Sequence, residues 1–125
     1  MNDPSASDEE ALAAAYLRQY ETKSNEDFWA YKQVDDIVRK NPQAGWRITR
    51  RLIDLARDGA ALAYVAAGPL EDMMNWWGNE LREEIEQEAR RNRRFLEALS
   101  MIRVHEGKET AYAWWRALLE KYHLF

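Results

Sequence analysis

Apolar side chains recur at three- and four-residue steps along most of the chain, the spacing that gathers them on one face of an α-helix. Leu12, Tyr16 and Tyr20 stand four apart, flanked by Ala13 and Leu17, and predict a first helix over about Asp8 to Glu21. Ser7 followed by Glu10 has the form of a capping box at its start. Ser24 with Asp27 opens a second helix, whose inward face is Phe28, Tyr31, Val34 and Val38. Asn41-Pro42 predicts a third start, since asparagine caps well and proline at the first helical position loses no bond it would have made. Ala44, Ile48, Leu52, Leu55 and Ala56 then face inward, with Trp46 and Ile53 nearby, and Asp58-Gly59 ends that helix.

Ala60 to Ala67 is a short helix of small residues, and Gly68-Pro69 breaks or kinks it. Leu70, Met73, Met74 and Trp77 continue at helical spacing to Gly78, a stop signal. Asn79 is placed to cap a peripheral helix whose apolar residues are Leu81, Ile85 and Ala89. Phe95, Leu96, Leu99 and Ile102 resume the pattern, and the spacing leaves open whether residues 80–102 form one bent helix or two. A last helix is expected over about Lys108 to Tyr122. No stretch alternates apolar and polar residues as a strand would. The expected fold is therefore all-α: a compact bundle of about six to seven short antiparallel helices over residues 7–125, behind a flexible arm of residues 1–6. Residues 26–91 also allow a reading as two consecutive helix pairs, a helical-repeat-like centre.

The segment Ala66-Ala67-Gly68-Pro69-Leu70-Glu71-Asp72-Met73-Met74, preceded by Trp29 leading to Val34-Asp35-Asp36, resembles an uncharacterised bacterial domain family of unknown function with an AAGPLEDLL-type signature. The resemblance covers about Phe28 to Phe95 and implies no activity. The family pattern has a histidine where Trp76 or Trp77 stands here, so any chemistry of that histidine is missing from this chain.

Composition narrows the functional classes. With no cysteine there is no disulfide framework, thiolate metal site or thiol nucleophile. The two histidines, His105 and His123, lie in separate segments, and the five glycines form no phosphate loop, so no cofactor or metal is implied. The longest weakly polar run, Ala60 to Leu70, is too short to span a bilayer, and the acidic start does not read as a signal peptide, which points to a cytoplasmic protein without membrane association. A net charge of −4 disfavours nucleic acid as a partner and suits a basic protein.

The side chains left for recognition are the acidic pairs Asp35-Asp36 and Glu71-Asp72 and the outer members of the tandem tryptophans, Trp76 and Trp114. Each has a structural explanation too: capping of a new helix by Glu71-Asp72, a salt bridge from Asp35 or Asp36 to an arginine of the third helix, and tryptophan at the margin of a broad apolar face. The basic clusters Arg47-Arg50-Arg51 and Arg90-Arg91-Arg93-Arg94 read first as solvated faces balanced by nearby glutamates, and otherwise as surfaces for an acidic partner or RNA. The leading expectation is a non-enzymatic protein-binding module, in its sharper form an immunity- or antitoxin-type inhibitor or an adaptor. The alternatives are a small enzyme using Glu71, Asp72, Asp35 and Asp36 as acid/base groups or metal ligands, and a homo-oligomeric helical scaffold. The enzyme requires that the acidic pairs converge in a polar cleft with at least one raised carboxylate pKa.

Overall fold

A computed structural model describes residues 6–124, with the backbone alone for Ala6 and Ser7. The expected arm over residues 1–6 therefore lies almost wholly outside the described residues, as does the Ser7 side chain of the expected capping box. The described residues are helical with no strand. Helix α1 spans Ala6–Thr22, α2 Phe28–Lys40 and α3 Pro42–Leu55. Between α1 and α2, a 3-10 turn at Asn25–Asp27 starts on Ser24, whose hydroxyl accepts the Glu26 N–H at 3.1 Å. The Asn41 side chain caps α3 by accepting the Ala44 N–H at 3.0 Å, with Pro42 in the first turn, as the dipeptide predicts.

Asp58-Gly59 begins a helix rather than ending one: Asp58 caps α4, Gly59–Val65, by accepting the Ala61 N–H at 2.8 Å. Gly68-Pro69 then separates nothing. Helix α4 runs through a π-helical turn, Ala66–Leu70, straight into α5, Glu71–Trp77, with right-handed helical dihedrals at both joins. A wide turn tolerates a proline that lacks an N–H, since the helical ladder is already interrupted there. Gly78 is also right-handed (φ −54°), so it is not the left-handed stop its position suggests.

Residues 80–102 are two helices, α6 Arg82–Arg91 and α7 Arg93–Leu99, divided at Asn92, whose side chain accepts from the Arg94 and Phe95 N–H groups. Asn79 does not cap α6. Its amide donates to the Glu109 carbonyl at 2.8 Å and its Oδ1 accepts from Trp114 Nε1 at 2.8 Å, which ties the start of the last helix down. That helix, α8, spans Tyr112–Lys121 and so begins later than expected.

Helices α1, α2 and α3 pack on one another, and the rod over residues 59–77 lies against α2 and α3, so the centre is a bundle and not two stacked pairs. Val34, Val38, Ile48, Leu52, Ile53, Leu70, Met73, Phe95 and Leu99 form the fully buried middle. Gly45 lets α3 approach closely, because a Cβ there would stand 2.8 Å from Met73 Sδ and 3.1 Å from Val38 Cα. Three residues expected inward are not buried: Phe28 and Tyr31 lie beyond the core at the start of α2, and Leu55 lies at the end of α3. No helix of the described residues is long and apolar enough to cross a membrane.

Candidate functional site

The rod meets α2 at a small slot where the two helices bring one carboxylate each. Asp35 comes from α2 and Asp72 from the first turn of α5, and both line the slot with Tyr16 of α1 and Tyr31 of α2. Val34 and Val38 form its apolar side, and the π turn contributes Gly68 and Pro69. Glycine is required there by proximity, since a Cβ at 68 would stand 3.3 Å from the Tyr16 hydroxyl. The indole Nε1 of Trp77 donates to the Val38 carbonyl at 2.7 Å, which fixes α5 against α2 and sets Asp72 opposite Asp35.

Electrostatics distinguish the two acids. Burial pushes the Asp72 carboxyl above its ordinary value of 3.8; the charges of Asp35 and Glu71 push the same way, and Arg39 pulls back weakly. Asp35 is held by Arg39 from its own helix, with Nε 3.2 Å from Oδ2. The Arg39 guanidinium in turn lies 5.6 Å from the centre of the Trp76 ring, a cation–π distance. Along the other rim a run of rings stacks: Phe28 on Tyr31 at 5.7 Å, Tyr31 on Tyr16 at 6.1 Å, and Tyr16 beside Tyr64 at 5.6 Å. Burial and the neighbouring Tyr64 raise the Tyr16 phenol far above its normal range, so it stays protonated and donates to Tyr64.

The other candidate residues are distributed elsewhere. Asp36 points away from the slot and pairs with Lys40 at 2.8 Å. Both α2 acids therefore pair within their own helix and not with an arginine of α3. Glu71 caps nothing, because no helix starts at that point; its Oε1 accepts the Arg103 N–H at 2.7 Å and anchors the segment before α8. Trp76 is half exposed (51 %), whereas Trp77 faces inward, as the tandem spacing predicts. Trp114 does not line the slot and lies under Arg82, 5.4 Å from its ring. Sequence reasoning placed Tyr16 and Tyr31 on inward helix faces and did not single them out; no local signal marks them, since their role depends on which helix lies opposite. No group of three or more His, Asp or Glu side chains among the described residues could hold a metal ion.

Residues 18–121 match a family of unknown function, which contains the signature around Gly68-Pro69 and both slot carboxylates. The chain belongs to this family, DUF6869. The match extends beyond residues 28–95 in both directions and takes in nearly all of the helical bundle. No curated protein and no solved structure matches the DUF6869 chain.

Proposed function

We propose that this DUF6869 protein is a protein-binding module that seats a lysine or arginine side chain of a basic partner segment between Asp35 and Asp72. What carries the reading is that two helices aim one carboxylate each into a slot walled by tyrosine rings. Carboxylates supply the charge, and aromatic faces attract a cation that must shed water to enter. The slot volume, about 30 Å³, is that of a side-chain tip, well below the ~300–1,000 Å³ of sites that enclose a small molecule. Arg39, already bonded to Asp35 and laid against Trp76, is the intramolecular stand-in for the guest. Exposed Trp76 and Phe28 on the two rims supply apolar contact area of the kind that anchors interfaces. An inhibitor of a basic protein and an adaptor would both use such a surface.

The test is titration with a hexa-arginine peptide, read by tryptophan fluorescence and backbone amide NMR shifts, with hexaglutamate as control. Saturable shifts should gather at residues 31–39 and 68–77. Asp35→Asn and Asp72→Asn should each weaken binding by about tenfold, on the order of 1.4 kcal/mol, and Asp36→Asn should leave it unchanged. Equal losses from Asp36→Asn, or shifts spread over Glu83 and Glu84, would mean unspecific attraction to an acidic protein and end the proposal.

One observation favours a second reading. The raised Asp72 beside an ionised Asp35 is also the arrangement of an acid/base pair. Of the four carboxylates that reading names, Asp35 and Asp72 line the slot, while Glu71 and Asp36 are engaged elsewhere. A hydrolytic activity abolished by Asp72→Asn, in a protein that ignores the basic peptide, would put the enzyme first.

A further inference from the structure

The two arginine clusters, which are separate in sequence, meet in space. Helix α3 presents Arg47, Arg50 and Arg51 at i, i+3 and i+4, neighbours on one helical face. The last turn of α6 brings Arg91 to the same place, and the four arginines line a cleft of about 310 Å³ with Glu9, Asp54 and Glu88. Four cations face three carboxylates there, so the wall carries a formal excess of one positive charge on a protein whose net charge is −4.

Two of the carboxylates are already committed. Glu9 is buried and accepts Arg47 Nε at 2.9 Å. Glu88 is buried as well, accepting Arg91 Nε and Nη2 at 3.0 and 2.7 Å on one oxygen and the Asn92 amide at 2.9 Å on the other. They brace the guanidinium groups of Arg47 and Arg91 and leave little capacity for Arg50. Arg50 lies flat against Trp46, 5.0 Å from the ring, so its position is held by packing. Its Nε is buried without a hydrogen-bond partner, and its Nη1 is 3.9 Å from the closest Glu88 oxygen, beyond bonding distance. A buried N–H donor without an acceptor is costly and calls for an unseen acceptor. Arg51 is held only loosely, 3.6 Å from the exposed Glu10.

We propose that this cleft binds a small phosphate monoester, with Arg50 and Arg51 as the principal donors and Arg91 closing the far side. Planar guanidinium forks match the oxygen geometry of a phosphate dianion, and three of them from two helices give it directional donors on more than one side. The volume is that of a small-molecule site, whereas a polymer would need an open track. The cleft shares no lining residue with the tyrosine slot, so it stands or falls independently of the function proposed above.

The full chain, titrated with inorganic phosphate, adenosine monophosphate and adenosine in parallel and followed by arginine Nε–H NMR signals, tests it. Saturation by the monophosphate, with shifts at Arg50, Arg51 and Arg91, is the expected result. Weaker saturation by phosphate at the same signals and none by adenosine would assign the affinity to the phosphoryl group. Arg51→Gln, at a loosely paired surface position that the fold does not depend on, should lower affinity about tenfold. Arg50→Lys should lower it comparably, because an ammonium keeps the charge and loses the fork. Arg116→Gln on α8 should leave it unchanged. Failure of both phosphates to saturate, equal shifts at Arg103 and Arg116, or binding of an RNA oligomer where the monophosphate does not bind would overturn the proposal.

Discussion

Trp77 donates its indole N–H to the main-chain carbonyl of Val38 at 2.7 Å, the hydrogen bond that pins the second half of the long rod to α2. Both partners sit next to the slot: Val38 lines it, and Asp72 lies little more than one turn before Trp77. The bond therefore links packing to the separation of the two carboxylates.

Trp77→Phe removes that donor while keeping a large ring against the core. The Val38 carbonyl loses its side-chain partner, and the expected destabilisation is about 1 kcal/mol. Urea denaturation measures it. The more specific readout is hexa-arginine binding, which should weaken although no group touching the guest has changed; a destabilised variant with full binding would show that the slot is held by other contacts.

Gly45→Ala places a methyl against Met73 Sδ and Val38 Cα. Alanine would gain roughly 0.5–1 kcal/mol from helix propensity. Overpacking against backbone costs about 1–3 kcal/mol, so net destabilisation is expected in thermal unfolding. Met73 can move but Val38 Cα cannot, so Gly45→Ala combined with Met73→Ala should lose less than the sum of the two single changes.

How much of this is legible beforehand differs from feature to feature. The rod's buried positions run 61, 65, 69, 73 and 62, 66, 70, 74, a strict spacing of four. A regular helix at 3.6 residues per turn drifts about 40° for each such step, so a period of four held this long already asks for one wide turn, and the π turn supplies it at Ala66–Leu70. The sequence reading took Gly68-Pro69 as a break because it weighed proline chemistry above the period. Periodicity assigned Phe28 and Tyr31 the correct side of α2 but said nothing of how far along its axis the core extends, and both prove exposed. Asn79 has the composition of a cap and is used for bonds to Glu109 and Trp114, distant in sequence, which no local rule reveals. The pairing of Asp35 with Asp72, and of Arg50 with Arg91, depends on which helices become neighbours.

Glu88 should make stability depend on acid. Burial alone would raise its carboxyl, but hydrogen bonds from Asn92 and Arg91 and the charges of Arg91 and Arg50 outweigh it and hold the group below its ordinary 4.5. A depressed folded-state pKa contributes stability that is present above the unfolded value and lost as pH falls through the folded one. Glu88→Gln should therefore be less stable than the parent at about pH 7, by roughly 1–3 kcal/mol for charge-assisted bonds, with the gap closing in acid as the parent loses the same bonds. Urea midpoints at about pH 7 and about pH 3 measure both values; a gap independent of pH would assign the loss to shape and not to charge.

Asp72 has the opposite sign. Burial first, then the charges of Asp35 and Glu71, raise its pKa above 3.8. Its contribution to stability is present below the unfolded value and lost as pH rises through the raised folded one. At neutral pH the ionised carboxylate is thus a burden on the fold, and Asp72→Asn should raise the thermal midpoint. The same change removes half the charge of the slot, so hexa-arginine binding should fall as stability rises. In the parent, affinity should drop on acidification through the raised Asp72 value, while Asp35, braced by Arg39, still carries its charge. In Asp72→Asn that pH step should disappear, leaving the weaker affinity flat across the same interval. Calorimetry of peptide binding over a pH series, set beside the two melting curves, reads both effects. A variant that becomes more stable and binds undiminished would show that the buried charge serves some end other than holding a cation.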